Sequence, residues 1–142
     1  PTTEIYTLTQ HDALPILLSY GAYRQVLRAS SAHVYLTVPF VLSWSMLEAM
    51  SSGCLVVASD TAPVREVISH GRNGLLVDFF SPEAIAAHVA EALGRPAWSA
   101  PLREAARATI LERYDLRHLL PKQLALLQPG TADAAGPAGA AN

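Results

Sequence analysis

Glu48 is the side chain whose surroundings invite chemistry. It lies in Ser43 to Met50, SWSMLEAM, which reads as a helix. Ser43 or Ser45 can cap its start, and Gly53 sits just past its end, where a left-handed residue is wanted. A strand-like run, His33 to Thr37 (HVYLT), precedes it and leads in through Val38–Leu42. In open parallel sheets, ligands bind beyond the carboxyl ends of the strands. The first helical turn, about Ser43 to Met46, is expected to offer unpaired backbone N–H groups and the positive end of the helix dipole. Both favour an anion such as a diphosphate. Ser43 and Ser45 add hydroxyl donors. Glu48, one turn further in, can turn toward the same crevice, where a carboxylate can accept hydrogen bonds from two ribose hydroxyls. Spacing alone carries no more than this. Every strand–loop–helix unit has an N-terminus, and a lone glutamate in a helix is more often solvated or ion-paired.

The elements that must position these residues alternate along the chain. Ala22–Ser30 places Tyr23, Val26, Leu27 and Ser30 on one helical face. The strand at 33–37 follows, then the Ser43 helix. Leu55–Ala58 (LVVA) is a short continuous apolar run of the kind covered on both faces in a parallel sheet. A turn at Ser59–Pro63, a short helix at Val64–Ser69, a tight turn at Gly71–Gly74 and a strand at Leu75–Val77 come next. Ser81-Pro82-Glu83-Ala84 starts a helix that runs to about Leu93, with Ile85, His88, Val89 and Ala92 as its buried stripe. Gly94 and Pro96 are read as its stop. Another helix spans about Ala100 to Tyr114, and Asp115 can cap one more. The alternation predicts an α/β fold: a partial Rossmann-like parallel sheet with flanking helices.

The run Phe40–Asp60, FVLSWSMLEAMSSGCLVVASD, resembles the signature of retaining GT-B glycosyltransferases of the large sucrose-synthase-like group, family 4. That signature is a Glu, seven residues, Glu-Ala-Met, then a Gly and a strand ending in Ala-Ser-Asp. Pro63–Ile68, Asn73–Asp78 and Pro82–Ala86 are similar to its next three motifs, and the likeness covers about Tyr20 to Gln128. The resemblance implies that Glu48 binds the donor ribose and that the backbone at Ser43, Trp44 and Ser45 cradles the donor diphosphate. Phe40 stands where the first motif glutamate would contact the donor sugar, which leaves the donor sugar open. With Leu42 of the same loop, these are the donor-site candidates. No catalytic residue is assigned, because the family's basic pair, an Arg and a Lys, lies upstream. The implied reaction moves a sugar from a nucleotide-sugar to an unspecified acceptor (a glycan, lipid or small molecule). A non-catalytic Rossmann-like nucleotide-binding module, or a GT-B-type sugar epimerase, is the alternative. The implied location is the cytoplasm, with any membrane contact made peripherally by an upstream domain.

Ordinary readings apply elsewhere. The ten Lys and Arg against twelve Asp and Glu form no basic stripe, which argues against a nucleic-acid partner. The single cysteine, Cys54, excludes an internal disulfide and enters an apolar strand, as an inert core thiol does. His33 reads as structural, His70 as solvated and His88 as partly buried. Trp44 either stacks on a base or anchors the loop. Arg65 and Glu66 read as a surface pair, and Asp60 and Asp78 as strand-end caps. No Cys/His cluster has metal-ligand spacing, no cofactor is expected, and no run reaches the roughly 18 apolar residues of a transmembrane helix.

Glu4–Ile16, EIYTLTQHDALPI, resembles a translated sequencing adapter, EIYTLSLHDALPI, differing at Thr9 and Gln10. Residues 1–16 are therefore expected to be non-native and to make no defined tertiary contacts. Residues 17–128 are expected to form a partial nucleotide-sugar-binding domain, and 129–142 a disordered Ala/Gly/Pro tail. A full Rossmann half has about six strands. With three, the sheet is expected to expose Val34, Leu36 and Val56, and the chain alone to be inactive.

Overall fold

The computed structural model describes residues 18–127, so the adapter-like segment and the Ala/Gly/Pro tail lie outside the described residues. Strand β2 (Leu55–Ser59) has all five residues buried. Parallel neighbours flank it on both sides: β1 (Ala32–Tyr35) in register Ala32 to Leu55, and β3 (Leu75–Val77) in register Val57 to Leu75. Alternate side chains of a strand point to opposite faces. Val56 and Ala58 accordingly enter one core, with Met46, Met50, Val64, Ile68 and Ala106. Leu55 and Val57 enter the other, with Leu75, Val77, Ala92 and Leu102.

The helices are α1 (Tyr20–Ala29), α2 (Trp44–Ser51), α3 (Ala62–Arg65), α4 (Pro82–Gly94), α5 (Pro96–Arg113) and α6 (Leu116–Leu127). Helix α2 packs on α1 and α5 over the first core. Its end is closed as expected by Gly53, at φ 83°. Arg103 Nε donates to the Gly53 carbonyl at 2.6 Å, and Arg107 donates to that of Ser51. On α4, Ala92 is buried while Ile85, His88 and Val89 are half-buried. Asp115 caps α6 as expected, accepting from the Arg117 N–H at 2.8 Å.

Four expectations are corrected. Pro96 does not only end α4; it opens α5, because a proline without an N–H costs nothing in a first helical turn. The strand expected at 33–37 stops at Tyr35. There the Ser59 hydroxyl takes over the ladder, accepting from the Thr37 N–H at 2.9 Å and donating to the Thr37 carbonyl at 2.7 Å. The short helix expected at 64–69 is Ala62–Arg65, begun by Pro63 in its first turn. Val34 on β1 and Leu36 just past its end are each 43% exposed, as expected, but Val56 is fully buried because β2 is central and covered on both faces.

Candidate functional site

Helix α2 begins beyond the carboxyl end of β1, and its start is built by local polar groups. Ser43 is the cap: its Oγ accepts from the Ser45 N–H at 3.3 Å and lies 3.0 Å from Ser45 Oγ. The Ser43 N–H donates to the Tyr35 hydroxyl at 3.0 Å, and the Met46 N–H to the Ser43 carbonyl at 3.3 Å. Of the four N–H groups expected to be unpaired, three thus have partners within the protein. Only the Trp44 N–H has none among the described residues. The reason is the capping that makes the helix start well. The two 3.3 Å bonds are long for N–H···O, so a charged acceptor can outcompete them.

Glu48 is half-buried one turn in. Its Oε1 accepts from the Tyr20 hydroxyl at 3.0 Å, a contact 28 residues away in sequence. That hydrogen bond, with the carboxylate's charge, raises the Tyr20 pKa; burial and then Glu48 raise that of Tyr23. Tyr20 and Tyr35 were not singled out in the sequence, where they are only an aromatic at a helix start and one in a strand. Phe40, Val41 and Trp44 are 73%, 73% and 75% exposed, whereas Leu42 is half-buried against the first core. Leu42 therefore anchors the loop and Trp44 does not. Trp44 instead borders a shallow apolar groove with Leu47, Tyr114, Leu116 and Leu119.

A second concavity, of about 420 Å³, lies across the carboxyl ends of all three strands, walled by Thr37–Pro39, Asp60–Thr61 and Asp78–Phe80. The Asp60 N–H donates to the Val77 carbonyl at 2.8 Å, and the Asp78 carboxylate accepts from the Phe80 N–H at 2.9 Å, the turn cap expected of it. Arg65 is paired with Asp60, not with Glu66. Its Nε and Nη2 reach the two carboxylate oxygens at 2.5 and 2.7 Å, and this bond holds the Asp60 carboxyl below its ordinary pKa. Successive residues on a helix do not face each other, which is why Glu66 loses the arginine.

The remaining candidates are structural. Cys54 is buried, its thiol donates to the Leu27 carbonyl at 2.8 Å, and burial pushes the thiol pKa up, away from nucleophilic use. His33 is half-buried and its pKa is lowered by that burial. His70 is exposed as expected, yet its Nδ1 accepts from the Leu76 N–H at 2.9 Å and its ring meets His88 edge-on at 5.9 Å. No group of His, Cys, Asp and Glu among the described residues could hold a metal ion, and no described helix is long and apolar enough to cross a membrane.

Residues 19–109 match the family model of the glycosyl transferases group 1. The alpha-maltose-1-phosphate synthase of Mycolicibacterium smegmatis is 32% identical over 115 residues, covering 77% of this chain and 30% of that protein. Among solved structures, HepE from Anabaena in complex with UDP superposes with a TM-score of 0.74 at 20% identity, over 89% of this chain and 36% of that one. The C-terminal domain of a glycosyl transferase group 1 family protein (LpcC) from Francisella tularensis superposes with a TM-score of 0.67 at 18% identity, over 81% of this chain and 63% of that one. The fold of these neighbours is GT-B, as the sequence motifs implied. The chain spans about a third of the length of the maltose-1-phosphate synthase and of HepE. It is a member of the glycosyl transferases group 1 family.

Proposed function

We propose that residues 17–128 bind the diphosphate and ribose of a nucleotide-sugar donor at the start of α2, as the donor half of a retaining, family 4 glycosyltransferase. One observation carries this reading. A half-buried carboxylate, Glu48, is held by Tyr20 one turn into a helix whose capped start lies beyond a strand's carboxyl end. The Trp44 N–H, the helix dipole and the hydroxyls of Ser43 and Ser45 meet the diphosphate. Glu48 accepts from the ribose hydroxyls, Leu42 fixes the loop, and exposed Phe40 and Trp44 face the rest of the donor. HepE has been solved with UDP and with UDP-glucose, so a uridine donor is the first to test. The protein's share of catalysis is to position the donor and to neutralise the leaving diphosphate. The basic side chains for that second task belong to the upstream part of the enzyme. This chain alone therefore binds donor without turning it over, and the whole enzyme works in the cytoplasm.

The test is Glu48→Gln, with UDP and UDP-glucose titrated calorimetrically. Losing a charge-assisted hydrogen bond costs about 1.5–3 kcal/mol, roughly a 10- to 150-fold weakening. Unchanged affinity removes Glu48 from the site. The anomeric configuration of the product, read by NMR on the enzyme with its upstream half, decides whether the reaction retains.

A further inference from the structure

The far end of α2, opposite the helix start that the donor reading uses, gathers positive charge. Arg24, Arg28 and Arg107 line a concavity of about 220 Å³ there, with Ser51, Ser52 and Leu111. Arg103 joins Arg107 in the adjoining hollow beside Gly53. Four of the chain's ten basic residues thus meet at one place, in a chain whose formal net charge is −2. They come as two pairs spaced four apart, Arg24 and Arg28 on α1 and Arg103 and Arg107 on α5, so each pair shares one face of its helix. Like charges at that spacing destabilise a helix unless something offsets them. Helix capping accounts for half of the cluster. Arg103 donates to the Gly53 carbonyl and Arg107 to that of Ser51, which also quenches the negative end of the α2 dipole. Arg24 has only the Tyr20 ring, whose centre lies 6.0 Å from its guanidinium carbon. Arg28 makes no ion pair or side-chain hydrogen bond among the described residues. Glu104, which borders the adjoining hollow, is exposed and pairs with none of the four.

We infer that this concavity binds a phosphate dianion, held by Arg24 and Arg28 from α1 and by the free donors of Arg107 from α5, with the Ser52 hydroxyl as a further donor. A guanidinium carries five N–H donors in a planar fork that matches phosphate oxygens. Arg107 uses part of its fork on the Ser51 carbonyl and keeps the rest. Ser51 Oγ donates to the Glu48 carbonyl at 2.9 Å, whereas Ser52 Oγ makes no hydrogen bond among the described residues. An anion set between the two helices turns repulsion among the arginines into attraction to a shared partner. The volume is below that of an ordinary small-molecule pocket, which suits a phosphate group and excludes a whole nucleotide. Helix α2 has 8 residues, so at about 1.5 Å per residue its length of roughly 12 Å separates this site from the Ser43 cap and the donor diphosphate. The phosphate arrives either free in solution, as inorganic phosphate or a small monoester, or as the headgroup of an anionic lipid. Exposed Arg24 and Arg28 are open to both.

The test is a titration of the isotope-labelled chain with inorganic phosphate, against chloride at equal ionic strength, read by amide chemical shifts. Saturable shifts are expected at Arg28, Ser52 and Arg107, with a dissociation constant on the order of millimolar. Arg24→Gln and Arg28→Gln are each expected to weaken that binding about fivefold, the value of one exposed charge-assisted contact. Arg72→Gln, outside the cluster, should leave it unchanged. Because Arg28 is exposed and unpaired, Arg28→Gln should melt no lower than the parent in phosphate-free buffer, and added phosphate should raise the parent's melting temperature more than the variant's. Shifts produced by UDP at Trp44 and Ser45 report the donor reading, and Arg28→Gln should leave them unchanged, so the two readings fail separately. The source of the phosphate is read in a second arm, with vesicles of phosphatidylcholine containing phosphatidic acid. Sedimentation of the parent but not of Arg28→Gln assigns the site to a lipid headgroup; binding of phosphate without sedimentation assigns it to a free phosphate. The inference is overturned if neither phosphate nor the vesicles act at the cluster beyond chloride, if phosphate shifts only Trp44 and Ser45, or if Arg24→Gln and Arg28→Gln bind as the parent does.

Discussion

Asn73 should be the most expensive polar side chain to remove. It is 4% exposed and sits in the turn that delivers β3 to the sheet. Its Oδ1 accepts from the Ser69 N–H at 2.8 Å, while Nδ2 donates to the Val67 carbonyl and to Thr109 Oγ1, each at 3.0 Å. In Asn73→Ala the buried Val67 carbonyl loses that donor and bears most of the penalty of an unsatisfied group. The Ser69 N–H is near the surface and rehydrates at lower cost. Thr109 keeps its own bond to the Ala105 carbonyl at 2.8 Å and loses little. Summing these gives about 2–4 kcal/mol. Against a total of about 5–15 kcal/mol this is a large fraction of the stability. At roughly 4–8 °C per kcal/mol, the melting temperature should fall by about 8–32 °C. Urea and thermal unfolding followed by circular dichroism measure it. Thr109→Val provides the internal scale, since it removes one of the three bonds and leaves Val67 and Ser69 paired; it should cost about 1 kcal/mol. A cost for Asn73→Ala below about 1 kcal/mol, or equal to that of Thr109→Val, would refute the reasoning.

Two further outcomes follow from single sites. At Gly74 an added Cβ would meet Ile68 Cγ2 at 2.9 Å and the Val56 carbonyl oxygen at 3.2 Å. Gly74→Ala should therefore destabilise by about 1–3 kcal/mol through overpacking, and denaturant melts showing no loss would mean that Ile68 moves freely. His33 has a folded-state pKa lowered from 6.5 by burial, so the unfolded chain binds the proton more tightly. Its contribution is complete above pH 6.5 and declines as the pH falls through that value toward the folded pKa. Between about pH 7.5 and 5.5 the parent chain should lose more melting temperature than His33→Gln does, and parallel pH profiles would contradict this.

What the sequence determined by itself was everything that local pattern encodes. The continuous apolar run at Leu55–Ala58 is a strand of a parallel sheet, Ser81-Pro82 opens α4, Gly53 closes α2, and Leu75–Val77 is β3. Each of these depends on backbone preference or on burial over a few residues, so it is legible without knowing what lies opposite. The α2 start was legible for the same reason, since a serine before an apolar helix is a cap wherever it occurs. The tertiary structure decided the pairings. Tyr20 reaches Glu48 across 28 residues, Ser59 closes the β1 ladder at Thr37 across 22, and the Tyr35 hydroxyl takes the Ser43 N–H expected to be unpaired. Arg65 chose Asp60 over its sequence neighbour Glu66. The cavity at the strand ends draws its walls from three loops that share no sequence signal. Such contacts are set by how parallel strands and their crossover helices stack, and the order β1-β2-β3 that brings those loops together is a property of the packed sheet, not of any one segment.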